Sequence, residues 1–528
     1  MPFPPGAVRR ALLLFLLSFV LTAAIYRHTP MNFLRAESGW YLQLSHSSEE
    51  VQRAFKHDFF TTSYGGHYAP LAFLAEFETA KIVGTNASFW KWRQILAVAI
   101  VGAMLAGAVS AIGGVFQFTA AARWALSAAI TGGAIFRAEM VEFISWPFMI
   151  LQLIWAGLFI LALSSVVKTV TAPDQTRWPW IAAAAACGSM QVSGLGLITV
   201  VAVAIVFSGI LFVASRRPSS IKTPAAKQIR RALLAMLALG AVHGWAMLYL
   251  SPTGPSVPTP SRALAKLFLG FTANLAVAAV ETFSGTTISR PDSNALAYSW
   301  PQGLLVIAAA LLLVACLLRK ALKEPTPQRL IRFALHAFSI AGFLTMIGLI
   351  VARQLRATSP DAVALYLSYS AAVSRYLVPL HLIVIAAAIE LVARLIRAAP
   401  RFTPVALWAI ALAAVVAQDD FRKTTFGYVA PLGRISHQSA WGLLLATVQE
   451  CRAANLPVPN FPLAALTQEF GNSDTGSFEP LLRHDLQLKP GEKIELLSWE
   501  KYRAGPRERY RSLPSLGLLE KKLNLPRD

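Results

Sequence analysis

The feature that most limits the fold of this chain is a series of long apolar segments separated by short basic ones. About eleven segments of roughly 15 to 25 residues contain few charged side chains, and each could cross a bilayer as an α-helix. They are approximately 11–26, 94–114, 122–136, 143–167, 178–192, 194–215, 232–250, 301–318, 333–351, 376–396 and 402–418. The 528 residues are 55% hydrophobic and only 14% charged, which excludes an ordinary soluble globular protein. We therefore predict an all-α polytopic membrane protein with about eleven transmembrane helices.

Three stretches of the chain require a choice between alternatives. The first apolar run, 11–26, resembles the core of a signal peptide, but no convincing cleavage site follows it, so we interpret it as an uncleaved first helix. Between 178 and 215 we expect two short helices that meet at Ser193–Gly194. The stretch 263–283 fits either a helix on the outer surface or one further span.

The basic residues set the predicted orientation. The net charge of +21 lies in short clusters of Lys and Arg between the apolar runs, as is typical of cytoplasmic loops, and this argues against a nucleic-acid partner. With the N-terminus in the cytoplasm, the inner loops contain many basic residues but only Asp174 and Glu324 as acids. We predict a transmembrane domain, 1–418, whose first connection, 27–93, is a large extracytoplasmic loop. An extracytoplasmic tail or small domain of unknown fold, 419–528, follows it.

Ionisable side chains are scarce within the apolar runs and gather at their predicted outer ends, which favours a reaction at the outer leaflet. In the first connection, Glu37 is followed by Trp40 and Tyr41, which as interfacial residues would hold the carboxylate near the lipid headgroups. A solvated loop carboxylate is the alternative for Glu37. Asp58 is a second acidic candidate, although it could instead pair with Lys56 or His57, or cap the following segment.

Four further residues are candidates for binding. His67 lies in the sequence GGHYAP, a tight turn whose glycines would let the backbone approach a phosphate or a sugar. Glu139 and Glu142 share one helical face and could coordinate Mg²⁺ or Mn²⁺, or could simply favour a helix start. Arg375 begins a late apolar run from the outer side, where a guanidinium suits bidentate contact with a phosphate.

Several segments, taken in order, resemble the polytopic GT-C glycosyltransferases, which take sugars from polyprenyl-phosphate carriers. They are RAESGWYL (35–42), GGHYAPLAFLAEF (65–77), GTNASFWKW (84–92), EMVEFISWPFMIL (139–151) and SRYLVPL (374–380). The second and third look most like the branch of protein O-mannosyltransferases and their bacterial relatives. The resemblance covers roughly residues 10 to 400 and implies a GT-C-like fold in a bacterial inner membrane.

The resemblance also implies an activity. It implies inverting transfer of a sugar from a polyprenyl-phosphate donor to a hydroxyl group of a glycan, lipid or protein acceptor at the membrane lipid surface. The family usually has Asp, often in an Asp-Glu pair, where this chain has Ala36–Glu37–Ser38. Either Glu37 is then the general base, or Asp58 has taken that role.

The remaining candidates also have counterparts in the family. Glu139 or Glu142 would match the acids of the second outer loop, and Arg375 would match a phosphate-binding arginine, with His67 as an auxiliary contact. The cofactor is unknown, with Mg²⁺ or Mn²⁺ as the candidates. The alternative class is a non-catalytic protein of the same fold, a lipid-linked glycan translocator or an assembly component, which the missing Asp-Glu pair favours.

Overall fold

The computed structural model shows a protein built from α-helices. It describes residues 5–62, 68–136, 139–217, 223–250, 300–354, 435–462, 479–492, 494–497, 499–505 and 508–523, with scattered residues between them. Within these ranges there is no β-strand, and one isolated bridge joins Phe461 to Leu496. The predicted all-α class is therefore confirmed for the described part of the chain.

Short turns connect most of the described helices. In chain order they are α1 (Pro5–Tyr26), α2 (Ala36–Ser45), α3 (Glu49–Thr61), α4 (Pro70–Val83), α5 (Ala87–Val115), α6 (Ala120–Ile135), α7 (Glu139–Ser145), α8 (Ile150–Thr171), α9 (Trp178–Val192), α10 (Gly196–Arg216), α11 (Thr223–Tyr249), α12 (Trp300–Lys323), α13 (Pro327–Gln354), α14 (His437–Ala453), α15 (Glu479–Leu486), α16 (Trp499–Arg503) and α17 (Pro514–Lys522). Two 3₁₀ turns, Pro147–Met149 and Glu508–Tyr510, complete the series.

Six of the described helices are long and apolar enough to cross a membrane. They are α1, α5, α8 together with the turn before it, α10, α12 and α13. The predicted apolar runs from 11–26 to 333–351 fall mainly on helix, but the run 143–167 is interrupted between Ser145 and Ile150. Helices α9 and α10 meet at Ser193 to Leu195 as expected. The runs 376–396 and 402–418 lie almost entirely outside the described residues, as does most of 263–283. The chain is therefore membrane-embedded, and the number of eleven spans stays a prediction.

The centre of the membrane bundle is α8, which packs against α5, α9, α10 and α13. Trp155 and Phe159 of α8 are almost completely buried, and the Phe159 and Phe338 rings lie 4.7 Å apart between centroids. At Gly209 a Cβ atom would collide with the Phe333 ring, so glycine lets α10 and α13 approach closely. Such small-residue contacts are typical of helix packing in membranes.

The first connection differs from the predicted loop, because most of it is helical. Its helices α2, α3 and α4 form a three-helix layer on one end of the bundle, and α5 begins at Ala87, inside the predicted loop. Local sequence explains the helix ends: the hydroxyl oxygen of Ser48 caps α3, Pro70 opens α4, and Gly84, at φ +57°, ends it. Asn86 then caps α5 by accepting a hydrogen bond from the Phe89 N–H at 3.1 Å.

Aromatic side chains form the core of the three-helix layer. Tyr41 is only 5% exposed, and its ring centroid lies about 6 Å from those of Phe55, Phe59, Phe77 and Phe148. The expectation that Tyr41 is an interfacial anchor is therefore wrong. This aromatic residue instead packs α2 against α3, α4 and the start of α8.

The described parts of the C-terminal segment between residues 435 and 523 dock on the three-helix layer. The backbone N–H of Gln438 donates to the Met31 carbonyl at 3.0 Å, and the Met31 N–H donates to Gln438 Oε1 at 2.9 Å. Asp485 Oδ2 accepts hydrogen bonds from Thr85 Oγ1 and from Trp441 Nε1. One hydrophobic cluster contains buried residues of both parts.

This docking constrains the topology. Both the first connection and the C-terminal segment attach to the same end of the bundle, so the chain between them crosses the membrane an even number of times. An odd total number of spans, as the sequence predicts, satisfies this condition. Which face of the membrane this is stays a prediction.

The docking should weaken in acid because of His437. This imidazole is fully buried, and its burial lowers its pKa from 6.5 to about 3. Between these values the undocked segment binds a proton that the docked segment does not bind. Docking is therefore strongest above pH 6.5 and loses up to about 1.4 kcal/mol per pH unit as the pH falls towards 3.

Hydrogen exchange of the α14 amides measures this effect, at about pH 7.5 and about pH 5 after correction for intrinsic rates. Burial and His484 also lower the pKa of His46 in the same interface, so the comparison is made with His437→Gln. We expect the pH dependence to be smaller in that variant. An equal pH dependence of exchange in both proteins would contradict the assignment of the acid effect to His437.

Candidate functional site

The three-helix layer meets the bundle at a break between α7 and α8. Pro147 lacks an N–H group, so the carbonyl groups near it lose their helical partners. Gln94 Nε2 donates to the carbonyl groups of Phe143 and Trp146, at 2.8 and 3.0 Å. Arg93 Nη2 donates to the Pro147 carbonyl at 2.8 Å. The start of α5 therefore satisfies the acceptors that the break exposes.

Residues 32–38 satisfy the other polar groups at the break. The Phe148 N–H donates to Ser38 Oγ at 3.0 Å, and Trp146 Nε1 donates to the Arg35 carbonyl at 3.1 Å. The Asn32 N–H donates to the Ser145 carbonyl at 2.6 Å. These bonds fix the N-terminus of α2, and with it Glu37, against the break.

Arg35 and Glu142 form a buried ion pair beside the break. Arg35 Nη2 lies 3.3 Å from Glu142 Oε1, and Glu142 is 7% exposed. The Arg35 guanidinium carbon also lies 4.5 Å from the centroid of the Trp146 ring. The sequence predicted a metal-ligand role for Glu142, whereas its carboxylate here neutralises an arginine.

Glu37 lies in the first turn of α2, two residues after Arg35. Its Oε2 atom is buried and makes no hydrogen bond, and the same is true of Arg35 Nη1. The helix N-terminus favours the charged carboxylate at this position. The N-terminal end of α2 therefore carries a carboxylate oxygen that could accept a proton and a guanidinium nitrogen that could donate a hydrogen bond. Neither atom makes a hydrogen bond within the described structure.

The remaining predicted site residues are not brought together with Glu37 by the described part of the structure. Asp58 is exposed on α3, and the Lys56 considered as its partner instead pairs with Glu78. Glu139 begins α7, but its side chain, like His67 and Arg375, lies outside the described residues. Among described side chains, no group of three or more His, Cys, Asp or Glu residues could hold a metal ion.

Sequence reasoning missed a second buried ion pair, between Glu76 and Arg93. Arg93 Nη1 donates to both Glu76 oxygens, at 2.9 and 3.0 Å, and its guanidinium carbon lies 4.5 Å from the Trp90 ring centroid. Burial raises the pKa of Glu76, while the charge of Arg93 and its hydrogen bond oppose this shift. The sequence does not single out this pair, because Glu78 lies two residues after Glu76 and Lys91 lies two residues before Arg93.

A cluster of neutral polar side chains lies below the three-helix layer. Gln152 Nε2 lies 3.5 Å from Ser193 Oγ, and Gln191 Nε2 lies 3.5 Å from His243 Nδ1. Tyr68, just before α4, has its ring centroid 5.7 Å from that of His243. Gln152 Oε1 and His243 Nε2 are buried without a hydrogen bond. Two of its hydrogen-bond contacts are long, and two of its polar atoms make no hydrogen bond. This neutral polar cluster is therefore able to bind the hydroxyl groups of a ligand.

The Glu76–Arg93 pair makes a direct stability prediction. Glu76→Gln leaves the Arg93 charge buried without a carboxylate, so we expect a loss of about 3–5 kcal/mol. Glu78→Gln, on the same helix, removes a more exposed pair and should cost about 1 kcal/mol or less. Thermal unfolding of the purified proteins in detergent measures both changes.

The double variant Glu76→Leu/Arg93→Met tests the cause of this loss. Removing both charges should recover part of the stability, because no unpaired charge remains buried. The lost donor to the Pro147 carbonyl should leave about 1–3 kcal/mol unrecovered. Similar losses for Glu76→Gln and Glu78→Gln would contradict the structural role of the pair.

Comparison with known proteins gives no relative from which a function could be transferred. No protein-family model, curated protein or solved structure matches the chain. The assignment of a function therefore rests on the residues and geometry described above.

Proposed function

We propose that the protein is a membrane glycosyltransferase that moves a sugar from a polyprenyl-phosphate donor to an acceptor hydroxyl on the extracytoplasmic face. The observation that carries this proposal is the buried, unpartnered Oε2 of Glu37 beside the Arg35–Glu142 pair. The GT-C resemblance of the segments around both acids supports the same activity. The substrate would reach Glu37 from the membrane surface below the three-helix layer.

Glu37 is the general base in this mechanism. Its carboxylate accepts the proton of an acceptor hydroxyl within hydrogen-bond distance, and the hydroxyl oxygen attacks the anomeric carbon of the sugar. The bond between that carbon and the phosphate oxygen breaks, and the lipid phosphate leaves with the electron pair. Attack opposite to the leaving group inverts the anomeric centre.

Arginine side chains stabilise the charge of the leaving phosphate. Arg35 Nη1 is buried and has no hydrogen-bond partner, so it has a donor for a phosphate oxygen. Glu142 and Trp146 hold the Arg35 guanidinium in place from two sides. Arg375, outside the described residues, is the second expected phosphate contact, and His67 is an auxiliary one.

The neutral polar cluster would orient the sugar. Gln152 follows Phe148 by four residues, a distance of about 6 Å along a helix, and Phe148 is hydrogen-bonded to Ser38 beside Glu37. Amide, imidazole and phenol groups suit hydroxyl groups, which carry no charge. Sugar recognition by this cluster would then use α8, the helix that follows the break beside which Glu37 lies.

The activity test uses Glu37→Gln with Asp58→Asn as its matched control. A general base contributes about 10²–10⁴-fold in rate, so Glu37→Gln should lower sugar transfer at least about 10²-fold with protein levels unchanged. Asp58→Asn removes an exposed carboxylate and should stay close to wild type. Mass spectrometry of lipid-linked sugars and products in membranes measures the transfer. Full activity in Glu37→Gln, with loss in Asp58→Asn, would move the base to Asp58.

A non-catalytic role, such as lipid-linked glycan translocation, is the second candidate. It is favoured by the use of the Glu76 carboxylate as the ion-pair partner of Arg93, which ties α4 to the bundle without a role in the proposed chemistry. Reconstitution in liposomes separates the two functions. Movement of a lipid-linked sugar between leaflets that is equal in wild type and Glu37→Gln, without transfer to any acceptor, would support translocation.

A further inference from the structure

A second polar site lies at the bundle end opposite to the three-helix layer. Helix α5 starts beside that layer and runs for 29 residues, about 40 Å, so Val115 lies near the other membrane face. There the turn 113–118 meets the N-terminal ends of α6 and α13. N-terminal helix ends carry partial positive charge and favour anions.

Arg123, in the first turn of α6, lies along the glycine face of α5. A Cβ atom at Gly113 would lie 3.0 Å from Arg123 Cγ, and one at Gly114 would lie 3.4 Å from its Nη1. The two glycines therefore make room for this side chain. Arg123 Nε is buried and makes no hydrogen bond.

Within the described part of the chain, Arg123 lacks the counter-charge that three other arginines with a buried guanidinium nitrogen have. Arg35 pairs with Glu142, Arg93 with Glu76 and Arg452 with Glu492. No described carboxylate lies within ion-pair distance of Arg123. Because Arg123 is partly buried and its Nε has no hydrogen-bond partner, an anion from outside the chain would stabilise its charge.

Further donors lie around the same turn. The Arg332 guanidinium carbon, on α13, lies 5.1 Å from the centroid of the Phe116 ring. One turn earlier, Gln328 Nε2 donates to the Val115 carbonyl at 3.3 Å. Arg332 and Arg123 thus contact the same short turn from two different helices.

We propose that Arg123 and Arg332 bind the phosphate of an anionic phospholipid headgroup at this end of the bundle. Guanidinium groups suit phosphate because they donate two hydrogen bonds in a fixed plane. A lipid is favoured over free phosphate because Trp124, next to Arg123, is 39% exposed, as expected of an aromatic side chain at headgroup level. This site is independent of the proposed transferase activity.

The test measures phosphatidylglycerol binding to the purified full-length protein, with phosphatidylcholine as the neutral lipid. Native mass spectrometry and lipid-dependent thermal stabilisation both report the affinity. Arg123→Gln should weaken phosphatidylglycerol binding at least about tenfold, and Arg332→Gln should weaken it in the same direction. The matched control is Arg329→Gln, three residues before Arg332, because Arg329 already pairs with Glu324. Arg329→Gln should stay within about twofold of wild type.

Two further arms make the outcomes decisive. Arg123→Lys keeps the positive charge but loses the planar guanidinium group, so this variant should bind phosphatidylglycerol more weakly than wild type. It replaces Arg123→Gln in the comparison if that variant does not fold. Stabilisation by inorganic phosphate that depends on Arg123, without an effect of phosphatidylglycerol, would overturn the lipid assignment. Equal binding of phosphatidylcholine and phosphatidylglycerol would also overturn the proposal. So would wild-type affinity in both Arg332→Gln and the Arg123 variant that folds.

Discussion

The hydrogen bonds that satisfy the break between α7 and α8 are the constraint on which the rest of this end of the molecule depends. Pro147 interrupts the helix at the membrane surface, where unsatisfied carbonyl groups are costly. Arg93 and Gln94 from α5 and Ser38 from α2 supply the partners. One local defect thereby joins the second long span, the three-helix layer and the central helix α8.

The same arrangement explains why two ion pairs are buried at this end of the bundle. Arg93 reaches the break from the start of α5 and needs the Glu76 carboxylate, which ties α4 to the bundle. Arg35 pairs with Glu142 on the other side of the break, and Glu37, whose Oε2 is buried without a hydrogen bond, follows Arg35 by two residues in the chain. The C-terminal segment then covers residues 31 and 32 through Gln438 and His437. A structural requirement has thus produced a polar, partly buried site at a membrane surface.

The sequence was most informative where composition alone decides structure. Apolar runs predicted the helices of the bundle, and Ser193–Gly194 predicted the junction of α9 and α10, because both depend on local residues. The turn into a helix at Pro70 was recognised, but the other helices of the first connection were missed, although Ser48 and Asn86 are recognisable helix caps, because the aromatic and charged residues suggested a loop. The role of Glu37 stays a prediction, and its position depends on hydrogen bonds of its neighbours Arg35 and Ser38 with Trp146 and Phe148, more than a hundred residues away. The pairing of Glu142 with Arg35 is equally non-local, and no spacing rule could predict it.

The most direct test of the central claim is a structure of the full chain with a polyprenyl-phosphate sugar bound, determined in a lipid nanodisc with Glu37→Gln to prevent turnover. The account predicts the sugar between position 37 and the neutral polar cluster of Gln152 and His243, with its phosphate in contact with Arg35. A sugar bound elsewhere, or a lipid chain that follows a continuous polar route between helices from one face to the other, would contradict it.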